Sequence, residues 1–305
     1  MESISAKKVS EKQPSRFKRA LRRITAGKVV SYIVLSFWAL TTIYPFYWVI
    51  INSFRYRGQI RRDSFSIPWP GSEYFTLDNY ELAFGRFNIP NAYKNSLIIS
   101  ITVTVVVIIL AGLFAYGLAR YNFKGKKFVH SLVIASMMFP VFCTIIPIYK
   151  MEVAWGLASS REAYKSLIAT ILPQIAGNLS FAIIVLLGFI KSLPVEIEES
   201  AYLDGCSVFK IFFRIVMPMA RPSFATVAIF SFLWSYNDLF TQSFFLRLPN
   251  EKTVTLLLND INSQAGTNYG LMASAVVLVV IPILIVYILL QKNIIKGMTV
   301  GAVKG

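Results

Sequence analysis

The sequence predicts an all-α, polytopic membrane protein with six transmembrane helices and a short surface helix–turn–helix between spans four and five. Three observations predict it. Apolar residues make up 55% of the 305-residue chain and charged residues only 15%, where a soluble domain carries about a quarter of its residues charged. Mean hydropathy is +0.58. The apolar residues gather into six runs of the ~20 residues needed to cross a hydrocarbon core about 30 Å thick, and an acidic, glycine-containing stretch separates the fourth run from the fifth.

Residues 1–28 form a polar, basic arm, expected as a disordered start followed by a short helix on anionic headgroups. The first span is Val29 to Ile51; it is too long and aromatic for a signal peptide, and no small-residue cleavage site ends it. Residues 52–94 form an outer cap with turn chemistry at Pro68-Trp69-Pro70-Gly71. The next spans run from Asn95 to Ala119, Phe128 to Tyr149, Ser166 to Ile190, Phe224 to Phe245 and Leu271 to Leu290, completing a six-span body over residues 29–290. Pro140, Pro147 and Pro173 interrupt the third and fourth spans and are expected as kinks. Asn178, Asn237 and Asp238 are polar groups within spans, where an acid costs about 2.5–3.5 kcal/mol at the bilayer centre and must face protein or water. Residues 291–305 form a short tail.

Of the 31 Lys and Arg residues, 20 lie in the arm, the tail and the connections after spans two and four; the opposite connections hold 11. Basic residues accumulate on the cytoplasmic side, so both termini are predicted there. The same placement excludes nucleic acid as the partner of the +16 net charge: the basic residues flank apolar runs and form no nucleic-acid-binding module. Membrane lipid is the partner they imply. Cys143 and Cys206 read as free thiols, and the lone His130 as an interfacial polar residue. Neither a nucleophilic triad nor a metal-ligand cluster nor a P-loop is present, so the chain reads as no enzyme and as lacking an ATP site of its own.

The most informative stretch, residues 192–222, reads SLPVEIEESAYLDGCSVFKIFFRIVMPMARP. Ser192 and Pro194 suit a helix start, and Glu196, Glu198 and Glu199 complement the macrodipole in the first turns. Ile197, Ala201 and Tyr202 are expected as the apolar side of this helix. Asp204-Gly205 ends it, since glycine adopts left-handed geometry. Ser207 is the expected cap of a second helix, Val208 to Met217, with Phe209, Phe212, Phe213 and Val216 at helical spacing. Pro218 and Pro222 break it before the next span.

Glu199-Ser200-Ala201, Asp204-Gly205, and Ile215 with Pro218 resemble the coupling signature of ABC importer permeases: Glu-Ala-Ala, a glycine four residues after the second alanine, and a distal Ile-x-x-Pro. Within that family the chain is similar to the maltose-permease type of the sugar-importer branch. Thr76-Leu77-Asp78-Asn79-Tyr80, Asn95-Ser96, Trp234-Ser235-Tyr236-Asn237-Asp238, Lys296-Gly297 and the terminal Gly301-Ala302-Val303-Lys304-Gly305 carry that likeness. Ser200 replaces the usual middle alanine, and Tyr236 stands where tryptophan is common. The resemblance implies a cytoplasmic coupling helix, with Glu196, Glu199, Ser200, Ala201, Asp204, Gly205 and Pro218 seated on a separate ATPase. It also implies a bacterial plasma-membrane location, a homologous second permease subunit, two ATPase domains that bind the ATP, and an extracytoplasmic solute-binding protein. Asn178, Trp234, Tyr236 and Asn237 are the candidate pathway residues, since amides and aromatic faces suit sugars. The alternatives are a secondary solute transporter, which usually has more spans and midplane charges, or an ABC permease for a non-sugar solute such as glycerol phosphate.

Overall fold

The computed structural model describes residues 26–158, 162–266 and 268–302; most of the basic arm and the last three residues of the tail lie outside the described residues. Among the described residues the chain is helical, with one isolated bridge between Arg55 and Phe75.

Three helices are long and apolar enough to cross a membrane unaided: α1 (Ala26–Ser53), α4 (Ile89–Arg120) and α7 (Ala163–Lys191). Between α1 and α4 lie the one-turn α2 (Arg57–Ile60) and α3 (Asp78–Arg86). After α4 come α5 (Lys126–Ser136) and α6 (Val141–Ala154). Beyond α7 the chain forms α8 (Glu196–Leu203), α9 (Val208–Ile211), a π-helical turn Phe212–Val216, α10 (Met217–Met219), α11 (Arg221–Asn237) and α12 (Leu239–Phe245). A 3-10 turn, Pro249–Glu251, leads to α13 (Val254–Ala265) and α14 (Tyr269–Ala302).

Two predicted elements take a different form. The third apolar run is not one helix: α5 and α6 meet at a 102° bend. Pro140 causes the break, because it lacks an N–H and disfavours helical geometry in the residue before it. Pro147 and Pro173, by contrast, lie inside α6 and α7. The fifth run is also divided. α11 ends at Asn237, and Asp238 starts α12 by accepting the Thr241 N–H at 2.9 Å. Upstream, residues 208–219 meet α11 at 84°, with Pro222 in the first turn of α11, where a missing N–H costs nothing. The predicted tail is no separate element at its start, since α14 continues helically to Ala302.

α4 and α7 form the centre. α4 presents Ile99, Val103, Val107, Ala111 and Ala115, a ridge of every fourth residue, to the buried Ala182, Leu186 and Ile190 of α7. With lipid as solvent, such packing rests on van der Waals contact and small residues rather than on expulsion of water. Gly112 shows the closeness: a Cβ there would lie 2.8 Å from Phe224 Cε1 and 3.0 Å from Phe212 Cζ. The elbow before α11 is therefore seated directly on α4. α11 packs on α4, α7 and α14, while α1 touches mainly α14 and leaves most of its length exposed.

The cap after α1 is organised around polar anchors. Asn79 donates to the carbonyls of Ser53 (3.0 Å) and Arg55 (2.8 Å), and Ser274 of α14 donates to Asn79 O at 3.0 Å. The buried Arg55 guanidinium reaches Asp63 O and Ser66. Hydrogen bonds from the Ser66 hydroxyl and the N–H groups of Phe65 and Ser66 hold the Asp63 carboxyl down at about 2. Asn95 and Ser96 tie α4 to the opposite loop: Asn95 donates to Asn250 O (2.9 Å), and Ser96 Oγ accepts the Val254 N–H (2.9 Å).

The candidate coupling site

At the end of the bundle where α4 and α7 terminate, the chain turns through residues 192–195 into α8. Ser192 does not begin that helix. It closes α7, its hydroxyl donating back to Phe189 O at 2.7 Å, and Val195 is the N-cap of α8. Glu196, Glu198 and Glu199 occupy the first turn, where unpaired N–H groups favour carboxylates.

The far end is a Schellman turn. Gly205 N–H bonds to Tyr202 O and Cys206 N–H to Ala201 O, both at 3.0 Å, with Gly205 at φ +77°. Ser207 precedes α9 in extended geometry, but its side chain makes no capping hydrogen bond.

The buried side of α8 is not the apolar one expected. Glu198 and Ala201, one turn apart, face inward, while Ile197, Tyr202 and Leu203 are exposed, Leu203 to 90%. Glu198 is accommodated because α4 ends in its partners. Arg120 Nη2 lies 2.7 Å from Glu198 Oε1, Arg120 Nε donates to the same oxygen at 2.8 Å, and Tyr116 OH donates to Oε2 at 2.9 Å. Arg120 also donates to Leu193 O at 3.1 Å, fixing the turn that enters α8. The hydroxyls of Tyr121 and Tyr202 add a further link at 2.7 Å; burial first, then this hydrogen bond, pushes the Tyr121 phenol up to about 12.

The second helix is likewise divided by faces. The π turn shifts its register, so Ile211, Phe212 and Val216 are buried against α4 while Phe209 and Phe213 stay exposed. Glu196, Glu199, Ser200, Asp204 and Pro218 are all exposed. Ser200 bonds back to Glu196 O at 2.9 Å. The outward surface thus combines carboxylates with Ile197, Tyr202, Leu203 and Phe209, held by a buried ion pair behind it.

The pathway candidates are not all brought together. Trp234 is half-exposed and packs on Phe181 of α7, ring centroids 5.1 Å apart, and Asn237 is exposed one turn further on. Asn178 is buried in α7, donating to Gln174 O at 2.7 Å. Tyr236, two residues from Trp234, points to the other side of α11. It is buried there and stacked on Phe232 at 5.7 Å.

The residues that hold these segments differ from those the sequence singled out, and Glu198, expected only as a first-turn charge, turns inward. Glu198, Arg120 and Tyr116 anchor α8; the available signal was the three-residue spacing of Glu198 and Ala201. Gln174 and Gln242 form a buried relay. Gln174 donates to Asp238 Oδ2 at 3.0 Å and accepts from the Ser235 hydroxyl, and Gln242 donates to Ser235 O at 2.9 Å. Amides within apolar runs were the signal there.

Three helices long and apolar enough to cross a membrane, two sharply bent apolar helix pairs and an acidic helix clamped at one end define a polytopic helical membrane protein. Residues 83–300 match the family model described as "Binding-protein-dependent transport system inner membrane component". The chain belongs to this family, and is accordingly a multi-pass protein of the bacterial inner membrane. It is 31% identical over 277 residues to the diacetylchitobiose uptake system permease protein NgcG of Streptomyces coelicolor, covering 89% of this chain and 87% of that one. It is 30% identical to the galactooligosaccharides transport system permease protein GanQ of Bacillus subtilis (90% and 95% covered). A chain of a bacterial ABC transporter involved in the import of alginate shares the fold, with a TM-score of 0.72 at 21% identity, covering 92% of this chain and 99% of that one.

Proposed function

We propose that this chain is one of two pore-forming permease subunits of an ATP-driven, binding-protein-dependent importer of carbohydrate or oligosaccharide. The observation that carries the mechanism is the exposed acidic and apolar face of α8, held by the Glu198–Arg120 pair. α8 and the helix after it form the coupling surface. Glu199 and Glu196 offer charge-assisted hydrogen bonds to a separate ATPase, and the exposed apolar residues offer contact area. ATPase motion reaches the bundle through two routes: Glu198 to α4, and the Phe212–Phe224 elbow on Gly112 to α4 and α11.

The spans are six in this reading: α1, α4, the α5–α6 pair, α7, α11 with α12, and α14, with both termini cytoplasmic. The 20-to-11 basic asymmetry supports that orientation. The carbohydrate assignment is supported by the diacetylchitobiose and galactooligosaccharide relatives, and the binding-protein partner by an alginate transporter solved with its alginate-bound periplasmic protein, TM-score 0.61. A homologous second permease supplies the other half of the pore, and two ATPase domains bind the ATP. Trp234 and Asn237 line the pathway with Asn178 behind them, and Tyr236 backs that wall.

Reconstitution into liposomes with a second permease, the ATPase and the binding protein tests this. Uptake of labelled oligosaccharide is expected only when all components and ATP are present. Uptake by this chain alone, driven by an ion gradient, would establish secondary transport instead.

A further inference from the structure

Where α5 begins, the ends of α4 and α7 leave a cleft of ≈ 520 Å³. Its rim carries Lys126, Lys127, Lys191 and His130, and its floor includes the buried Leu118 and Leu187. No carboxylate lines it. Asn122 holds Lys126 in place by accepting from its ammonium at 3.1 Å. Among the described residues none of the three lysines forms an ion pair. Three cations from two helices therefore converge without a counter-charge, although mutual repulsion would be relieved by spreading them.

The surroundings indicate the depth of the cleft. Lys191 ends α7 immediately before the coupling segment, so the cleft opens at the same end of the bundle as α8. Tyr121, Phe123 and Phe128 are exposed beside it, as aromatic residues are at the headgroup level of a bilayer. A cationic rim over an apolar floor matches a phosphate diester on a glycerol backbone.

We infer that this cleft binds the phosphate of an anionic phospholipid from the leaflet that faces the ATPase. The inference rests on the proposed orientation only for which leaflet supplies the lipid. The lysine ammonium groups donate charge-assisted hydrogen bonds to the phosphate oxygens, and the leucines meet the glycerol and the first methylenes. A lipid there bridges α4, α5 and α7 next to the coupling helix.

The test uses the assembled permease–ATPase complex in phosphatidylcholine nanodiscs, titrated with phosphatidylglycerol and read by native mass spectrometry. The wild-type complex should retain phosphatidylglycerol in preference to phosphatidylcholine. The Lys126→Gln/Lys127→Gln/Lys191→Gln variant should bind it about a hundredfold more weakly. Lys124→Gln, an exposed lysine outside the cleft, should bind as wild type. If the triple variant fails to assemble, Lys127→Gln and Lys191→Gln singly should each weaken binding by about fivefold. Inorganic phosphate at millimolar concentration should not displace the lipid; displacement would assign the cleft to free phosphate. Equal phosphatidylglycerol binding in wild type and variants, or cross-linking of Lys127 to the ATPase across the cleft, would overturn the proposal. Glu199→Ala is expected to leave lipid binding intact, so failure of the coupling reading is distinguishable from failure of this one.

Discussion

Arg120 and Glu198, 78 residues apart, form a buried ion pair at 2.7 Å that joins the end of α4 to the inner face of α8. Both side chains are at least nine-tenths buried, and the Tyr116 hydroxyl and Leu193 carbonyl occupy much of their remaining hydrogen-bonding capacity. The pair makes α8 part of the bundle rather than an appendage of a loop.

Removing one partner leaves a buried charge uncompensated, at a cost of about 3–5 kcal/mol. Glu198→Ala should lower the thermal stability of the complex and abolish stimulation of ATP hydrolysis by loaded binding protein. The double variant Glu198→Gln/Arg120→Gln should be less destabilised than the sum of the two single changes, because neither charge is stranded. Wild-type stability and stimulation in Glu198→Ala would remove the anchor from the mechanism.

Gly205 and Glu199 act differently. No atom lies within 4 Å of a Cβ built on Gly205, so a substitution there is penalised only through its φ of +77°. Gly205→Asn should be tolerated, since asparagine visits left-handed geometry, while Gly205→Val should cost about 1–2 kcal/mol and misplace α8 relative to α9. Glu199→Ala, at an exposed site, should leave stability unchanged and reduce stimulated hydrolysis. Full stimulation in both Glu199→Ala and Gly205→Val would refute the coupling assignment.

Orientation can be read with thiols. In a Cys143→Ser background, an impermeant maleimide on spheroplasts should label a cysteine placed at the exposed Arg62 and miss Cys206, which a permeant reagent reaches. Labelling of Cys206 from outside would invert the topology.

The two sides of α11 predict opposite outcomes. Trp234→Ala and Asn237→Ala should change oligosaccharide uptake or preference while ATP hydrolysis persists. Tyr236→Phe should not, because its buried hydroxyl has no hydrogen-bond partner and its removal discards a desolvated group. Unchanged uptake in the Trp234 and Asn237 variants would reduce both to packing.

Composition and local spacing are enough to specify the class of protein, the placement of apolar runs, the acidic helix after α7 and the glycine that ends it. These are local quantities: hydropathy summed over ~20 neighbours, carboxylates in a first turn, a left-handed residue at a helix end. The motif at residues 199–205 was legible for the same reason. The tertiary structure alone decided which glutamate turns inward, because only the fold brings Arg120 and Tyr116 to Glu198. Tertiary packing also set Ile197 and Tyr202 outward, against the expectation from their hydrophobicity, and placed Trp234 and Tyr236 on opposite sides of one helix. Pro140, Pro218 and Pro222 marked two interruptions locally, but the size of those bends, 102° and 84°, and the break at Asp238 belong to the tertiary category. A hydropathy window averages over a break, whereas the polar groups at the break must find partners in space: Gln242 donates to the Ser235 carbonyl, and Gln174 of α7 donates to the Asp238 carboxylate and accepts from the Ser235 hydroxyl.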